Sequence, residues 1–227
     1  MQRTYSMIHS NVLFDLDGTL IDQFTAIHKS VNYVRNQLSL PPSDYDAVKA
    51  AVGGSVNLTL KRLFEDAELE TTLPLFKEHF ETIMLEDVFL LPGILPLLDY
   101  LKQQSVQMGV LTNKIGSHAR ATLEHLGISS YFKCIAGVGD TGFRKPDTQF
   151  TRYILDKMNA DIPETCLIGD SPFDWETGIE ADLTVYLVAS GTHNVERLRA
   201  DTESSFIYTD IFSLAREHFA VDLEIYE

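Results

Sequence analysis

Short β-rich runs recur along this chain, and helical patterns separate most of them. Five stand out: 11–16 (NVLFDL), 106–112 (VQMGVLT), 133–138 (KCIAGV), 164–169 (ETCLIG) and 183–188 (LTVYLV), with a shorter sixth at 205–209 (SFIYT). The segment SHARATLEHLG shows the intervening type, with Ser117 placed to cap a helix and Gly127 to stop it. A strand that must be followed by a helix cannot pair with the next strand through a tight turn. Parallel strands with helices on both faces are the economical solution. The expected fold class is therefore α/β, a three-layer core around a parallel sheet.

One interval breaks the alternation. Residues 23 to about 90 contain no convincing strand. Phe24, Ile27, Val31, Val34 and Leu38 recur at steps of three and four, which predicts an amphipathic helix ended by Pro41-Pro42. Further helices are expected at about 44–52, 55–66 and 73–86, with Ser55 as an N-cap. So long a stretch is not a loop of a compact domain. The expected organisation is a core of residues 1–22 and 91–227 with an all-helical domain, 23–90, inserted after the first strand. The LPG at 91–93 marks the return.

A formal charge of −15 argues against nucleic acid or an anionic membrane as a partner through a broad basic face. Cys134 and Cys166 lie in apolar strand-like runs and read as buried thiols. The start, MQRTYSMIHS, has no apolar signal region, and the greasiest run, VFLLPGILPLLDYL, is interrupted by prolines, glycine and aspartate. A cytoplasmic location is expected.

The stretch NVLFDLDGTLID, residues 11–22, concentrates the chemistry. Asp17-Gly18 between apolar flanks is a strong hairpin signal. It does not explain Asp15, a carboxylate that interrupts an apolar strand and is costly to desolvate unless it is paired or sits at the strand's end. A calcium loop counted from Asp15 would need glycine at position six and glutamate at position twelve, and neither is there. The remaining reading puts Asp15 at the C-terminal end of a parallel strand, where open α/β sheets bind ligands.

These residues resemble the first motif, D-x-D-G-T, of the haloacid dehalogenase-like superfamily. Three further motifs follow in order at the ends of later strands: LTNK (111–114), FRKPD (143–147) with Lys145, and GDSPFD (169–174) with Asp170 and Asp174. The resemblance implies a Rossmann-like core and a helical cap of the family's first class. LTNK, RKPD and GDSPFD look most like phosphoglycolate phosphatase-like members. The implied reaction is hydrolysis of a small phosphorylated metabolite. A β-phosphoglucomutase-like isomerase, a pyrophosphate or nucleotide phosphatase, and a non-catalytic phospholigand-binding protein are the alternatives. A monomer or homodimer is expected.

A carboxylate attacking a phosphoryl group meets like charge. Two unit charges at about 4 Å repel by roughly 4 kcal/mol at an effective dielectric near 20, about a thousandfold in rate. The site therefore needs cations. The resemblance implies Mg²⁺ held by Asp15, the Asp17 backbone carbonyl and Asp170, with Asp174 serving the metal through water, and Lys145 as the second cation. It also implies Asp15 as nucleophile and Asp17 as acid and base. Thr112 and the Asn113 N–H would be donors to the phosphoryl oxygens, alongside Lys145. Ser171-Pro172-Phe173-Asp174 also reads as a helix start with an acidic third residue.

Specificity is expected from the insertion. AVGGSVN (51–57) either presents helix N–H groups to an anion or, more plainly, stops one helix before Ser55 caps the next. His28, Lys29, Lys61 and Arg62 either face the cleft or, as expected for any one of them, are solvated helix positions; Trp175 is expected as packing rather than substrate stacking, and the acidic VDLEIYE end as solvated.

Overall fold

Every side chain of Asn11–Phe14 is buried, a pattern that suits a central strand covered on both faces. In the computed structural model, which describes residues 9–64 and 68–223, these residues form β1. A two-residue strand β2 (Ile21–Asp22) follows, then helices α1 (Phe24–Gln37), α2 (Tyr45–Ala51), α3 (Val56–Leu63) and α4 (Leu69–Ile83), then β3 (Phe89–Leu90). Helix α5 (Ile94–Gln103) leads to β4 (Gln107–Ile115), α6 (Gly116–His125), β5 (Phe132–Val138) and α7 (Thr148–Met158). The chain continues through β6 (Thr165–Gly169), α8 (Pro172–Glu180), β7 (Thr184–Val188), α9 (Val195–Asp201), β8 (Ile207–Tyr208) and α10 (Ile211–Leu214).

The main sheet runs β5-β4-β1-β6-β7-β8, and all of its pairs are parallel. Alternation along the strands divides the core. Val12, Phe14, Cys166 and Ile168 pack with α5 through Ile94, Leu97, Leu98 and Leu101. Leu13 and Leu167 point the other way, against Phe150, Ile154, Leu155 and Met158 of α7. Gly109 lets α7 approach closely, since a Cβ there would lie 2.4 Å from the Met158 sulfur. The strand order reverses beside β1, which opens a crevice at the C-terminal ends of its neighbours.

The α/β expectation holds, and the interval after the first strand is helical. Helices α1 to α4 enclose an apolar cluster of their own, including Phe24, Val31, Leu60, Phe76 and Phe80. The last of them begins earlier than its periodicity predicts, at Leu69. Ser55 caps α3 by accepting from the Leu58 N–H at 3.3 Å. Several local expectations fail. β3 lies inside the stretch read as strandless, because two residues carry no period; it pairs antiparallel with β2. The hairpin set aside in the sequence is indeed absent: Asp17-Gly18 is a turn, with Gly18 at φ 90°, that redirects the chain into β2. Ser117 is not an N-cap: α6 starts directly from β4 at Gly116. Cys134 is only half-buried, on the edge strand β5, while Cys166 is buried. Val221 and Leu223 join the main core rather than a solvated end; residues 224–227 lie outside the described residues. Among the described residues no helix is long and apolar enough to cross a membrane.

Candidate active site

Asp15 stays on the ladder where β1 ends, its N–H donating to the Ile168 carbonyl at 2.9 Å. From that end of the sheet β5 sends out the loop bearing Lys145, and β6 runs straight into Asp170 and the start of α8. Lys145 Nζ lies 2.7 Å from Asp15 Oδ1 and 2.6 Å from Asp174 Oδ1. Its side chain is 3% exposed, so the contact is made without water's screening.

Local structure explains how each group arrives. β4 loses register with β5 between Leu111 and Ile115, and this irregularity frees Thr112, Asn113 and Lys114 from regular pairing. Asn113 uses its side-chain amide on the backbone of Lys145. Its Oδ1 accepts from the Lys145 N–H at 2.8 Å, and its Nδ2 donates to the Lys145 carbonyl at 3.1 Å. The lysine is thus held by a strand 32 residues away in sequence. Thr112 is buried, and its hydroxyl oxygen accepts from the Lys114 N–H at 3.2 Å, leaving its proton free to donate.

Asp174 sits in the first turn of α8 and accepts at Oδ2 from both the N–H and the hydroxyl of Ser171, at 3.1 and 2.6 Å. The cap and the contact with Lys145 thus use different oxygens of one carboxylate. Asp170 Oδ2 accepts from the Thr192 N–H at 2.9 Å and its hydroxyl at 3.2 Å. Gly18 and Gly191 flank that carboxylate so tightly that a Cβ on either would lie 2.6 or 1.9 Å from Oδ2.

Asp15, Asp170 and Asp174 are buried, each with a carboxylate oxygen within 4.8 Å of the others. Burial raises the Asp15 pKa to about 6, with Asp174 adding to the rise and Lys145 opposing it. Burial, and then the charges of Asp174 and Asp15, push Asp170 well above the usual carboxylate range. Burial alone would lower Lys145, but Asp15 and Asp174 more than offset this and keep it protonated. With all three carboxylates ionised, one ammonium against them leaves a negative excess equal to a divalent cation's charge. Hard oxygen donors at this spacing fit such an ion.

Asp17 stands apart from that cluster. Its carboxylate meets Lys114 Nζ at 3.0 and 2.9 Å. Sequence reasoning missed Lys114, although it quoted the motif that contains it, and it passed over Thr192, Ser190 and Gly191 beyond β7. Ser190 donates to the Gly18 carbonyl at 2.7 Å. The signal available for these was position alone, just past the C-terminal end of a parallel strand.

Helices α1 to α4 reach the same edge. Gly53 and Gly54 have positive φ and stop α2 as the plainer reading held. They also lie against Phe173 of α8, where a Cβ on Gly54 would be 2.6 Å from the ring. Arg62 donates to the Ala51 carbonyl at 2.9 Å and steadies that loop. Lys61 is exposed, and Lys29 pairs with Asp87. His28 departs from the solvated expectation, bonding the Ser43 carbonyl at 3.0 Å. Trp175 packs against Val185, Leu187 and Leu198.

The model of the family described as haloacid dehalogenase-like hydrolase matches residues 12–188. A phosphoglycolate phosphatase of Rhodospirillum rubrum is 31% identical over 191 residues, covering 79% of this chain and 79% of the relative. One from Agrobacterium fabrum is 33% identical over 167 residues, covering 70% and 71%. Among solved structures, a haloacid dehalogenase-like family hydrolase from Streptococcus pneumoniae superposes with a TM-score of 0.81 at 20% identity, covering 90% of this chain and 96% of that one. The match spans β1 through β7, the strands whose ends carry Asp15, Lys145, Asp170 and Thr192, and the chain belongs to the haloacid dehalogenase-like hydrolase family.

Proposed function

We propose that this hydrolase cleaves a small phosphate monoester, phosphoglycolate first among candidates, through a phosphoryl group carried on Asp15. The observation that supports this most is the buried meeting of Asp15, Lys145, Asp170 and Asp174 at one sheet edge, with Asp17 two residues from Asp15. The names of the two phosphoglycolate phosphatase relatives favour the substrate.

In the first step an Asp15 carboxylate oxygen attacks phosphorus in line and the bond to the alcohol oxygen breaks. Asp17 gives that oxygen its proton. In the second step water attacks the aspartyl-phosphate, Asp17 takes the water's proton, and inorganic phosphate leaves. Lys145 keeps positive charge beside the nucleophile throughout, and Asn113 fixes the loop that carries it. The free hydroxyl proton of Thr112 and the Asn113 N–H are donors for the phosphoryl oxygens. Asp15, Asp170, the Asp17 carbonyl and Asp174 would hold Mg²⁺, which when bound offsets the charge of the phosphoryl oxygens. Residues 23–90 act as a cap that sets specificity and excludes water, with the Gly53-Gly54 loop resting on Phe173.

The test is phosphate release from a panel of phosphorylated metabolites with Mg²⁺, run beside Asp15→Asn and with EDTA. Release from phosphoglycolate that falls by about a thousandfold or more in Asp15→Asn is expected. No release from any ester, or full activity in Asp15→Asn or in EDTA, overturns the reading. Conversion of glucose 1-phosphate to glucose 6-phosphate without net release would point to an isomerase instead.

A further inference from the structure

The mechanism above leaves Lys114 without a task, yet the site is built around it. Its side chain is 7% exposed, and its ammonium reaches both carboxylate oxygens of Asp17, at 3.0 and 2.9 Å. On its other side stands the ring of Phe80, from α4, with the centroid 5.4 Å from Nζ. The ammonium is thus enclosed between a carboxylate of the core and an aromatic face of the helical insertion. A solvated surface pair would not be held this way.

Contact to both oxygens ties the Asp17 carboxyl group to the end of β4. The turn that carries Asp17 is itself held, with the Gly18 N–H donating to the Ile21 carbonyl at 2.8 Å and Ser190 donating to the Gly18 carbonyl at 2.7 Å, and Lys114 adds a restraint at the far end of the side chain. The register shift in β4 brings Lys114 under Phe80, and Glu81 beside it meets His118 of α6 at 3.1 Å.

We propose that Lys114 is a positioning residue for Asp17, and that Phe80 completes its seat, so that the acid is correctly aimed only while α4 lies over the β4–α6 junction. The proposal rests on the reading of Asp17 as acid and base. It predicts a dependence on the leaving group, because an alkoxide must be protonated as it departs and a nitrophenolate need not be. The quantity to compare is kcat/KM, which covers steps only through departure of the alcohol.

Lys114→Met, Lys114→Arg, Asp17→Asn and the Asp17→Asn/Lys114→Met double variant are assayed on phosphoglycolate, ethyl phosphate and p-nitrophenyl phosphate. Lys114→Met is expected to lower kcat/KM about 10- to 100-fold for both alkyl esters and less than about threefold for the aryl ester. Lys114→Arg should recover most of the loss, and the double variant should be little worse than Asp17→Asn. Equal loss on all three esters, no loss, or a gain overturns the proposal. So does a raised KM confined to phosphoglycolate, which would make Lys114 a carboxylate binder. Asp17→Asn that spares no ester overturns the acid reading and the proposal with it. A selective Asp17→Asn beside an unselective Lys114→Met overturns the proposal alone.

Discussion

Two lysines serve two aspartates at this site, and their surroundings differ in kind. Lys145 lies between Asp15 and Asp174 in a seat made wholly of groups that follow the strands of the parallel sheet. Lys114 lies between Asp17 from the core and Phe80 from α4, so its seat exists only when two layers meet. The inner region is assembled from groups of the core alone. The outer region is conditional on where the helical insertion sits. That division suits the two proposed tasks: the attacking group must stay fixed, whereas the acid and base is needed only while an ester or the aspartyl-phosphate occupies the site.

Replacing the inner lysine should give the largest effect. Lys145→Met is expected to cut kcat/KM by about 10²–10³ on every ester, whatever its leaving group, because it removes charge stabilisation common to all. Lys145→Arg should not rescue it. The planar guanidinium has no room where the ammonium is 3% exposed and 2.6 to 2.7 Å from two carboxylates. Rescue by arginine, or a loss confined to alkyl esters, would erase the distinction between the regions.

Gly191→Ala probes the inner region from the opposite side. A Cβ there would lie 1.9 Å from Asp170 Oδ2 and must displace a carboxylate that Thr192 otherwise holds. The Mg²⁺ concentration for half-maximal activity should rise about 10- to 100-fold, with the leaving-group dependence unchanged. Titration of activity against Mg²⁺ for both proteins decides this, and an unchanged requirement would remove Asp170 from the ion's ligands.

How much of this was legible beforehand follows the same division. Central strands such as Asn11–Phe14 and Thr165–Gly169 are buried at every position and apolar after their first residue, so their positions survive with shifts of a residue or two. Asp15, Lys145, Asp170 and Asp174 were visible because each ends or follows such a run. Lys114 was written in the same motif and overlooked, because its role depends on a register shift in β4 and on a ring 34 residues earlier. Thr192 gave no compositional signal, since a hydroxyl in a loop beyond β7 looks like any other. The β2–β3 pair is too short to show a period, and Val221 and Leu223 were masked by the acids around them.

Gly54→Ala tests how firmly the insertion is set on the core. At φ +81° an L residue costs about 1–2 kcal/mol, and its Cβ would meet Phe173 at 2.6 Å and Leu58 at 2.9 Å. A lower urea midpoint is expected, with a several-fold rise in KM for phosphoglycolate. Turnover on p-nitrophenyl phosphate should change less, because the inner region is not touched. A stability loss with no change in KM would mean that this loop caps helices and does nothing for substrate.

The smallest effect concerns acid, and it also reads the junction of the two layers. Burial lowers the His118 pKa; the bond from Glu81 works to raise it and does not prevail, while Lys114 and Lys77 add to the lowering. With the folded value below the unfolded one near 6.5, both states are neutral at higher pH and the contribution to stability is whole. As pH falls through 6.5 the unfolded chain takes up a proton that the folded chain resists, so stability declines until the folded imidazole titrates as well. His9, His193 and His218 are displaced in the same direction, whereas the raised Asp15 and Asp170 work the opposite way, and all of these are common to the protein and its His118 variant. Between pH 7.5 and 5.5 the melting temperature of His118→Gln should therefore gain on that of the parent protein as pH falls, the difference between the two isolating His118. Identical slopes would mean that α4 lifts from α6 far enough to hydrate the ring, and the outer region would then lose the contact that distinguishes it from the inner one.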